Sequence, residues 1–278
     1  MHGPLDRPNK ANQGFMNNPG IIVTEQGMIM VDPGSTYQVG KQVLAEARKI
    51  SKQPIVAVFN SHIHGDHWLG NQAIVEAYPQ VKIYGHAQMI KMANGNDGLQ
   101  WIDIMNELTE GQAKDTKVVA PSLAVKHSDE LKIAGQTFRI HAFKKSHTNT
   151  DIMVEHVDSK TMFMGDNSFN KRMGRFDRTS SIHGTIEALQ YVAKLDIKAF
   201  VPGHGQTGNY DEAVKTFLGY LLLLRNIVAK GFEQGLENYE IKPIVLQQMG
   251  EYKKWSGFDH DIGRHVSKMY LEVEAREL

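Results

Sequence analysis

The stretch His62-Ile63-His64-Gly65-Asp66-His67 places four potential metal ligands within six residues. It follows the run Ile55-Val56-Ala57-Val58-Phe59, whose apolar character predicts a buried strand. Side chains alternate between the two faces of an extended segment, so the first two histidines can bind one ion together. The glycine lets the chain turn and direct the aspartate and the last histidine at a second ion. The stretch therefore predicts two neighbouring cations.

The available donor groups restrict the kind of metal site. Imidazole and carboxylate suit zinc, and the absence of cysteine excludes thiolate sites and structural zinc knuckles. Any zinc is then expected to be catalytic. The alternative is a histidine-rich surface loop, which a chain with 13 histidines permits. The density of ligands and their place directly after a buried strand oppose that alternative.

Histidine and aspartate follow apolar segments again further along the chain. His147 lies in KSHTNTD, Asp166 ends MFMGD, and His204 lies in PGHG. An earlier strand, MIMV, ends in Asp32-Pro33-Gly34. In this order, over residues from about 20 to 208, the motifs resemble the metallo-β-lactamase superfamily, whose signature is HxHxDH followed by a distant His, an Asp and a His.

The resemblance implies a fold and a division of the chain. The fold class is α/β, a four-layer αββα sandwich of the metallo-β-lactamase type with an added C-terminal helical segment. The catalytic domain would span residues 1–208, and a helical extension over 209–278 would pack on it. The extension could be a cap over the site or a dimerisation arm.

The resemblance also implies a ligand set. One metal would be held by His62, His64 and His147, the other by Asp66, His67 and His204, and Asp166 would bridge them. Two Zn²⁺ are expected, with Fe or mixed metals as the alternative. Two divalent ions about 3.5–4 Å apart can share a water, lower its pKa to about 7 and polarise the bond under attack, so no nucleophilic serine or cysteine is required. Asp66 would in addition orient the attacking water, which makes it the expected catalytic residue.

Composition bounds the partners and the compartment. Lys plus Arg and Asp plus Glu are each 31, the formal net charge is zero, and no block of like charge is present, so nucleic acid is not an expected partner. The longest apolar run, residues 217–224, is far shorter than the ~20 residues of a membrane span. We expect a soluble protein with a small-molecule substrate, and a homodimer is one option for its assembly. As written the sequence predicts a cytoplasmic location, and a periplasmic or secreted one if an N-terminal signal has been removed.

Hydrophobic periodicity predicts the order of elements. Strands are expected within 20–31, at 54–59, 81–84, 130–133, 137–143, 151–156, 161–164 and 199–201, and helices at 37–51, 69–77, 185–195 and near 210–231, 239–250 and 260–275. Between 88 and 121 a methionine-rich helical insertion interrupts this rhythm. Trp101 and the methionines could form an apolar substrate wall, although packing against the core is the favoured interpretation of apolar residues at helical spacing.

Two segments after Asp166 could select the substrate. Residues 170–178 carry four cations, of which Arg175 or Lys171 could hold an anionic group, unless the loop is simply solvated. The Gly-Arg-Phe within it is loosely similar to the equivalent loop of glyoxalase II-like thioester hydrolases. Beyond this loop a serine at 180 or 181 is expected to cap a helix, and His183 is a further candidate to face the substrate.

The expected reaction is hydrolysis of a small ester, thioester, lactone or β-lactam-type substrate. True β-lactamases of the superfamily generally lack an aspartate at the place of Asp166, which lowers that alternative. An iron-containing redox enzyme, similar to a sulfur dioxygenase, and a metal carrier without turnover remain open. Metal analysis and a panel of chromogenic substrates would separate these possibilities.

Overall fold

Two five-stranded β-sheets lie face to face in the computed structural model, which describes residues 1–277. The space between them is filled by apolar side chains from both sheets, among them Ile29, Phe59, Phe138 and Val154. Helices cover the outer face of each sheet. This is the predicted αββα arrangement, since each sheet can bury both of its faces.

The first sheet has the order β1-β2-β3-β4-β5. Its strands are β1 (Gly20–Thr24), β2 (Gly27–Val31), β3 (Ile55–Phe59), β4 (Lys82–His86) and β5 (Leu123–Val125). The first pair is the predicted antiparallel hairpin, and β2 to β5 are parallel. Its outer face packs on α1 (Tyr37–Ile50) and α2 (Asn71–Ala77).

The second sheet has the order β10-β9-β8-β7-β6. Its strands are β6 (Glu130–Ile133), β7 (Gln136–His141), β8 (Met153–His156), β9 (Thr161–Phe169) and β10 (Ala199–His204). Only β9 and β10 pair in parallel. Strand β9 runs past Asp166 to Phe169 and is therefore longer than the predicted 161–164.

The methionine-rich insertion forms two helices, α3 (Ala87–Ala93) and α4 (Asn96–Leu108), separated at Asn94 and Gly95. Met89 and Met105 are buried in a small cluster with Trp68, which supports the core interpretation for these methionines. Other residues of α4 have a different environment, described below.

Helices α5 (Ile182–Val192), α6 (Thr216–Glu233), α7 (Asn238–Gln248) and α8 (Phe258–Glu277) cover the second sheet. One apolar cluster joins Met162 of β9, Ile186 of α5, Leu221 of α6 and Val266 of α8. The helices after residue 209 therefore share a core with the sandwich, while an independent boundary at 208 stays a prediction. Within the described residues, no helix has the length and apolar character needed to cross a membrane.

Candidate metal centre

Asp32 organises the loop that begins the HxHxDH segment. Strands β2 and β3 are parallel neighbours, so the residues that follow them meet at one sheet edge. Asp32, in the left-handed region at φ 52°, accepts hydrogen bonds from Ser61 N at 2.7 Å and from Ser61 Oγ at 2.6 Å. The same carboxylate lies 2.8 Å from Nδ1 of His67. One buried aspartate thus holds both ends of the loop.

The first group of donors consists of His62, His64, His147 and Asp166. All four are buried, and one ligand atom from each lies within 4.8 Å of the others. His147 Nε2 lies 3.0 Å from His64 Nδ1 and 3.4 Å from Asp166 Oδ2. His62 Nε2 lies 3.8 Å from the same carboxylate oxygen. The ligand atoms of these four residues are therefore close enough to bind one cation.

The second group consists of Asp66, His67 and His204, again buried and within 4.8 Å of one another. Asp66 Oδ2 lies 3.3 Å from His67 Nε2 and 3.2 Å from His204 Nε2. The other oxygen of Asp166, Oδ1, lies 3.1 Å and 3.3 Å from these two nitrogens. Asp166 therefore presents one oxygen to each group, as the bridging role requires.

These donors fit a pair of bound cations. His62 Nε2, Asp66 Oδ2, His67 Nε2 and Asp166 Oδ1 are buried and have no hydrogen-bond partner among the described residues. Buried polar atoms are almost always paired, and four unpaired donors that converge on one place are the exception that a metal site explains. Nitrogen and carboxylate oxygen without thiolate is a donor set that zinc accepts.

His62 and His204 each have an acceptor for the nitrogen that faces away from the donors, whereas Nδ1 of His147 has no hydrogen-bond partner among the described residues. His204 Nδ1 donates to the backbone oxygen of Met16 at 2.7 Å. His62 Nδ1 lies 3.0 Å from Ser61 Oγ, whose proton goes to Asp32. A proton fixed on the outer nitrogen leaves the lone pair of the inner nitrogen free for a cation. The fold thus sets the metal-binding tautomer of His62 and His204.

Charge is distributed unevenly among the buried groups. Burial lowers the pKa of His62, and it lowers that of His147 to about 3. For Asp66 and Asp166, burial opposes ionisation, but attraction to the neighbouring histidines outweighs it and holds each pKa well below the ordinary value. For His67, attraction to three carboxylates outweighs burial and raises the pKa. A cation that binds here replaces the proton on His67.

Close backbone approach at Gly203 completes the centre. A Cβ atom at this position of β10 would collide with Asp166 Oδ1. Glycine is therefore required for β10 to pass beside the bridging carboxylate and deliver His204.

A cavity of about 150 Å³ lies over the donors. Helix α4 supplies an apolar wall through Trp101, Ile104 and Leu108, and the Trp101 ring centroid lies 4.9 Å from that of His64. The polar wall includes four arginines from three parts of the chain: Arg7, Arg172, Arg175 and Arg264.

The structure brings two of the four predicted substrate residues to this cavity. Trp101 lines it, and Arg175 lies over the Trp101 ring at 5.7 Å. Lys171 does not reach it, since it is exposed and lines a separate surface pocket. His183 is bound by Glu272 of α8 at 2.9 Å and also lies outside the cavity wall. Ser181 caps α5, as predicted for a serine here.

Sequence reasoning did not single out several residues of the site. Arg172 lay in the predicted basic loop, but no local signal separates it from its neighbours. Arg7 and Met16 precede the first strand and reach the site only through the fold. Asp177, which lies 3.5 Å from the outer nitrogen of His64, follows a loop that has no regular period. A pattern-based search could not have found these residues.

Comparison with known proteins defines the class. Residues 13–204 match the family model of the metallo-β-lactamase superfamily, and the chain belongs to this family. The predicted family and fold are confirmed. The chain is accordingly an enzyme of the hydrolase class, as are the relatives it matches.

Individual relatives within the family share limited sequence identity with the chain. A hydroxyacylglutathione hydrolase of Francisella tularensis subsp. holarctica is 24% identical over 225 residues, which cover 79% of this chain and 76% of that protein. A linear primary-alkylsulfatase of a Pseudomonas species is 36% identical over 74 residues, 25% of this chain and 14% of the relative.

Solved structures agree on the fold. A sec-alkylsulfatase from a Pseudomonas species superposes with a TM-score of 0.72 at 18% identity over 92% of this chain. The chain spans about half of that protein, 47%. A metallo-β-lactamase from Pontibacter korlensis gives a TM-score of 0.58 at 19% identity, over 73% of this chain and 85% of that protein.

Proposed function

We propose that the protein is a dinuclear zinc hydrolase that cleaves a small ester, thioester, lactone or β-lactam-type substrate. The observation that carries the proposal is the convergence of two buried donor groups that share Asp166. When bound, a pair of zinc ions supplies Lewis acidity that activates water near neutral pH and polarises the bond to be cleaved. The distant hydroxyacylglutathione hydrolase, whose name describes a hydrolase, supports this class of reaction.

The residues of the chain have distinct roles in this proposal. His62, His64 and His147 would hold one ion, Asp66, His67 and His204 would hold the other, and Asp166 would be shared by both. Asp66 accepts a hydrogen bond from the attacking water and orients it. The α4 wall around Trp101 excludes bulk water from the reacting bond, which strengthens every electrostatic interaction in the cavity.

The test combines metal analysis with substrate screening. Protein purified without added metal should contain about two zinc ions per chain, in line with the two donor groups. A panel of chromogenic ester, thioester, lactone and cephalosporin substrates should show turnover that a chelator removes and added zinc restores. Iron with oxygen consumption would instead support the redox alternative. Stable metal binding with no turnover of any substrate would support a carrier and contradict the proposal.

A further inference from the structure

Arg172 is a buried cation without a carboxylate partner. Its side chain is only 8% exposed, and no carboxylate oxygen of residues 1–277 lies within 4.0 Å of its guanidinium. Its contacts are His204 Nδ1, 2.9 Å from Nη1, and Met16 Sδ, 3.9 Å from Nη2. Buried charges are normally paired, so this environment is unusual.

The histidine cannot satisfy the guanidinium. Nδ1 of His204 donates its proton to the Met16 carbonyl oxygen at 2.7 Å when Nε2 faces the metal centre. A nitrogen that carries a proton does not accept a hydrogen bond from Arg172. The planar guanidinium therefore keeps donors free beside the cavity that it lines.

The other arginines of the cavity are in a different state. Arg7 and Arg264 both contact Asp261, at 2.7 Å and 3.3 Å. Arg175 is exposed to solvent and stacks over Trp101. Asp66 and Asp166, which line the same cavity as Arg172, belong to the donor groups, and two divalent cations would outweigh their charge. The charge of the Arg172 guanidinium at the base of the cavity is thus not neutralised, and an anion bound there would neutralise it.

The opposite wall requires an apolar occupant. Trp101, Ile104 and Leu108 of α4 face the cavity, and Leu108 is 46% exposed. Contact with an apolar group would remove this surface from water, which favours binding. The two walls therefore favour a molecule with a charged end and an apolar end.

We propose that Arg172 binds an anionic group of the substrate next to the metal centre, while the apolar part of the substrate lies along α4. The substrate class is then an anionic amphiphile, and Arg172 determines specificity for it. This inference rests on the proposed function, since it describes the substrate of the same site. The anion could be a carboxylate beside the scissile bond or a sulfate ester that is itself cleaved.

Binding of a probe that cannot be hydrolysed tests the inference without turnover. Calorimetry on the zinc-loaded chain with butane-, hexane- and octanesulfonate should show affinity that rises with chain length. Arg172→Met should weaken sulfonate binding about ten-fold or more, since a charge-assisted pair is lost. Arg225→Met, which changes an arginine of α6 that donates hydrogen bonds to Asn226 and does not line the cavity, should bind like the wild type. Equal affinity of the wild type and Arg172→Met would overturn the inference.

Matched substrates separate the sources of the anion. With a methyl ester and the corresponding dicarboxylic half-ester, Arg172→Met should lower kcat/KM about ten-fold or more further for the half-ester than for the methyl ester. An alkyl sulfate of the same length forms the third arm. If the methionine variant fails to fold, Arg172→Lys provides the test. This variant keeps the charge but loses the planar guanidinium, so it should retain part of the preference for the half-ester over the methyl ester. An equal loss for neutral and anionic substrates in both variants would contradict a role in specificity.

The two proposals fail in different ways. If no substrate is hydrolysed but sulfonate binding still depends on Arg172, the proposed function is wrong and the anion site stands. If neutral esters are hydrolysed and Arg172 has no effect on sulfonate binding, the hydrolase stands and the anion site is wrong.

Discussion

Asp32 shows that a residue which does not face the cations can decide whether they bind. Its two oxygens are shared by Ser61 and His67, so it fixes the start of the ligand loop and the tautomer of one ligand. An acceptor behind a metal-binding histidine typically contributes ten- to hundred-fold to metal affinity.

Asp32→Asn tests this role. The amide presents a donor where His67 or Ser61 also donates, so metal affinity should fall about ten- to hundred-fold while the chain stays folded. Titration with a competing chelator measures the affinity, and circular dichroism monitors the fold. Asp115→Asn, an exposed aspartate away from the centre, is the matched control. Unchanged affinity in Asp32→Asn would show that the loop is positioned by other contacts.

Asp66→Ala tests the proposed orientation of water. The substitution removes a buried carboxylate that contacts His67 and His204, and turnover should fall at least about 10²-fold, as for loss of a general acid–base group. Steady-state kinetics with the best substrate of the panel measures the loss, and metal content shows whether the second ion is retained. Kinetics like those of the wild type would remove Asp66 from the mechanism.

At the scale of elements, the connection between β7 and β8 carries His147 and is held by a single carboxylate. Asp151 accepts hydrogen bonds from Ser146 Oγ at 2.6 Å, Thr148 N at 2.7 Å and Thr148 Oγ1 at 2.6 Å. All three donors flank His147 in sequence. The loop is therefore a pre-formed turn around the ligand.

Asp151→Asn should loosen this turn. One acceptor oxygen becomes a donor that faces other donors, so the free energy of unfolding should fall by about 1–3 kcal/mol. Chemical denaturation of the metal-free chain measures this loss, and the metal affinity should fall with it. Asp115→Asn, at an exposed position, again serves as the control. A stability equal to that of the wild type would show that the backbone alone holds His147.

The elements around the site explain where sequence patterns succeed. Strand β3 and the ligands that follow it are local features of the sequence. The apolar run predicts the strand, and the HxHxDH motif directly after it predicts the ligands. The end of β9 was missed because Asn167 and Ser168 are polar yet buried, and Ser168 Oγ donates to the distant Ala213 O at 2.5 Å. Helix α5 begins at Ile182 rather than 185 because Glu272 of α8 accepts from the backbone nitrogens of Ile182 and His183.

At the scale of the whole molecule, His265 of α8 connects the C-terminal helices to the arginine-bearing loop. Its Nε2 donates to Gly174 O at 2.7 Å, and its Nδ1 accepts from Tyr220 OH of α6 at 2.7 Å. Met173 N also donates to Ser256 O at 2.9 Å. The loop with Arg172 and Arg175 is thus supported by residues from the last part of the chain.

The protonation of His265 should make stability depend on pH. Burial lowers its pKa to about 4 from the ordinary 6.5, so between these values the unfolded chain binds a proton that the folded chain does not. Its contribution is therefore complete above pH 6.5 and is lost as the pH falls towards 4, by roughly 3 kcal/mol in total.

Denaturation of the wild type and His265→Gln at several values between pH 4 and 7 measures this effect. The difference in the free energy of unfolding between the two should be largest near neutral pH and should shrink towards pH 4. A difference that stays constant over this range would show that His265 does not titrate as its burial requires.

Sequence predicted the metal centre better than the cavity above it, for a physical reason. The candidate ligands follow strands that the hydrophobic pattern predicts, and the ends of such strands meet at the edge of the sheets. His147, Asp166 and His204 could therefore be placed near the first motif. The cavity rim joins Arg7 to Asp261, 254 residues later, through a contact that only the complete fold creates. Such pairs have no spacing that a single sequence reveals.

The contact between Arg7 and Asp261 also sets an order of events during synthesis. The ribosome releases the ligand-bearing strands before α8, and Val266 of α8 belongs to the same apolar cluster as Met162 of β9, so the second sheet completes its core only after α8 has emerged. Productive substrate recognition would begin only after α8 has emerged and docked on the N-terminal segment. Until then, the cavity would lack the side that Asp261 and Arg264 form.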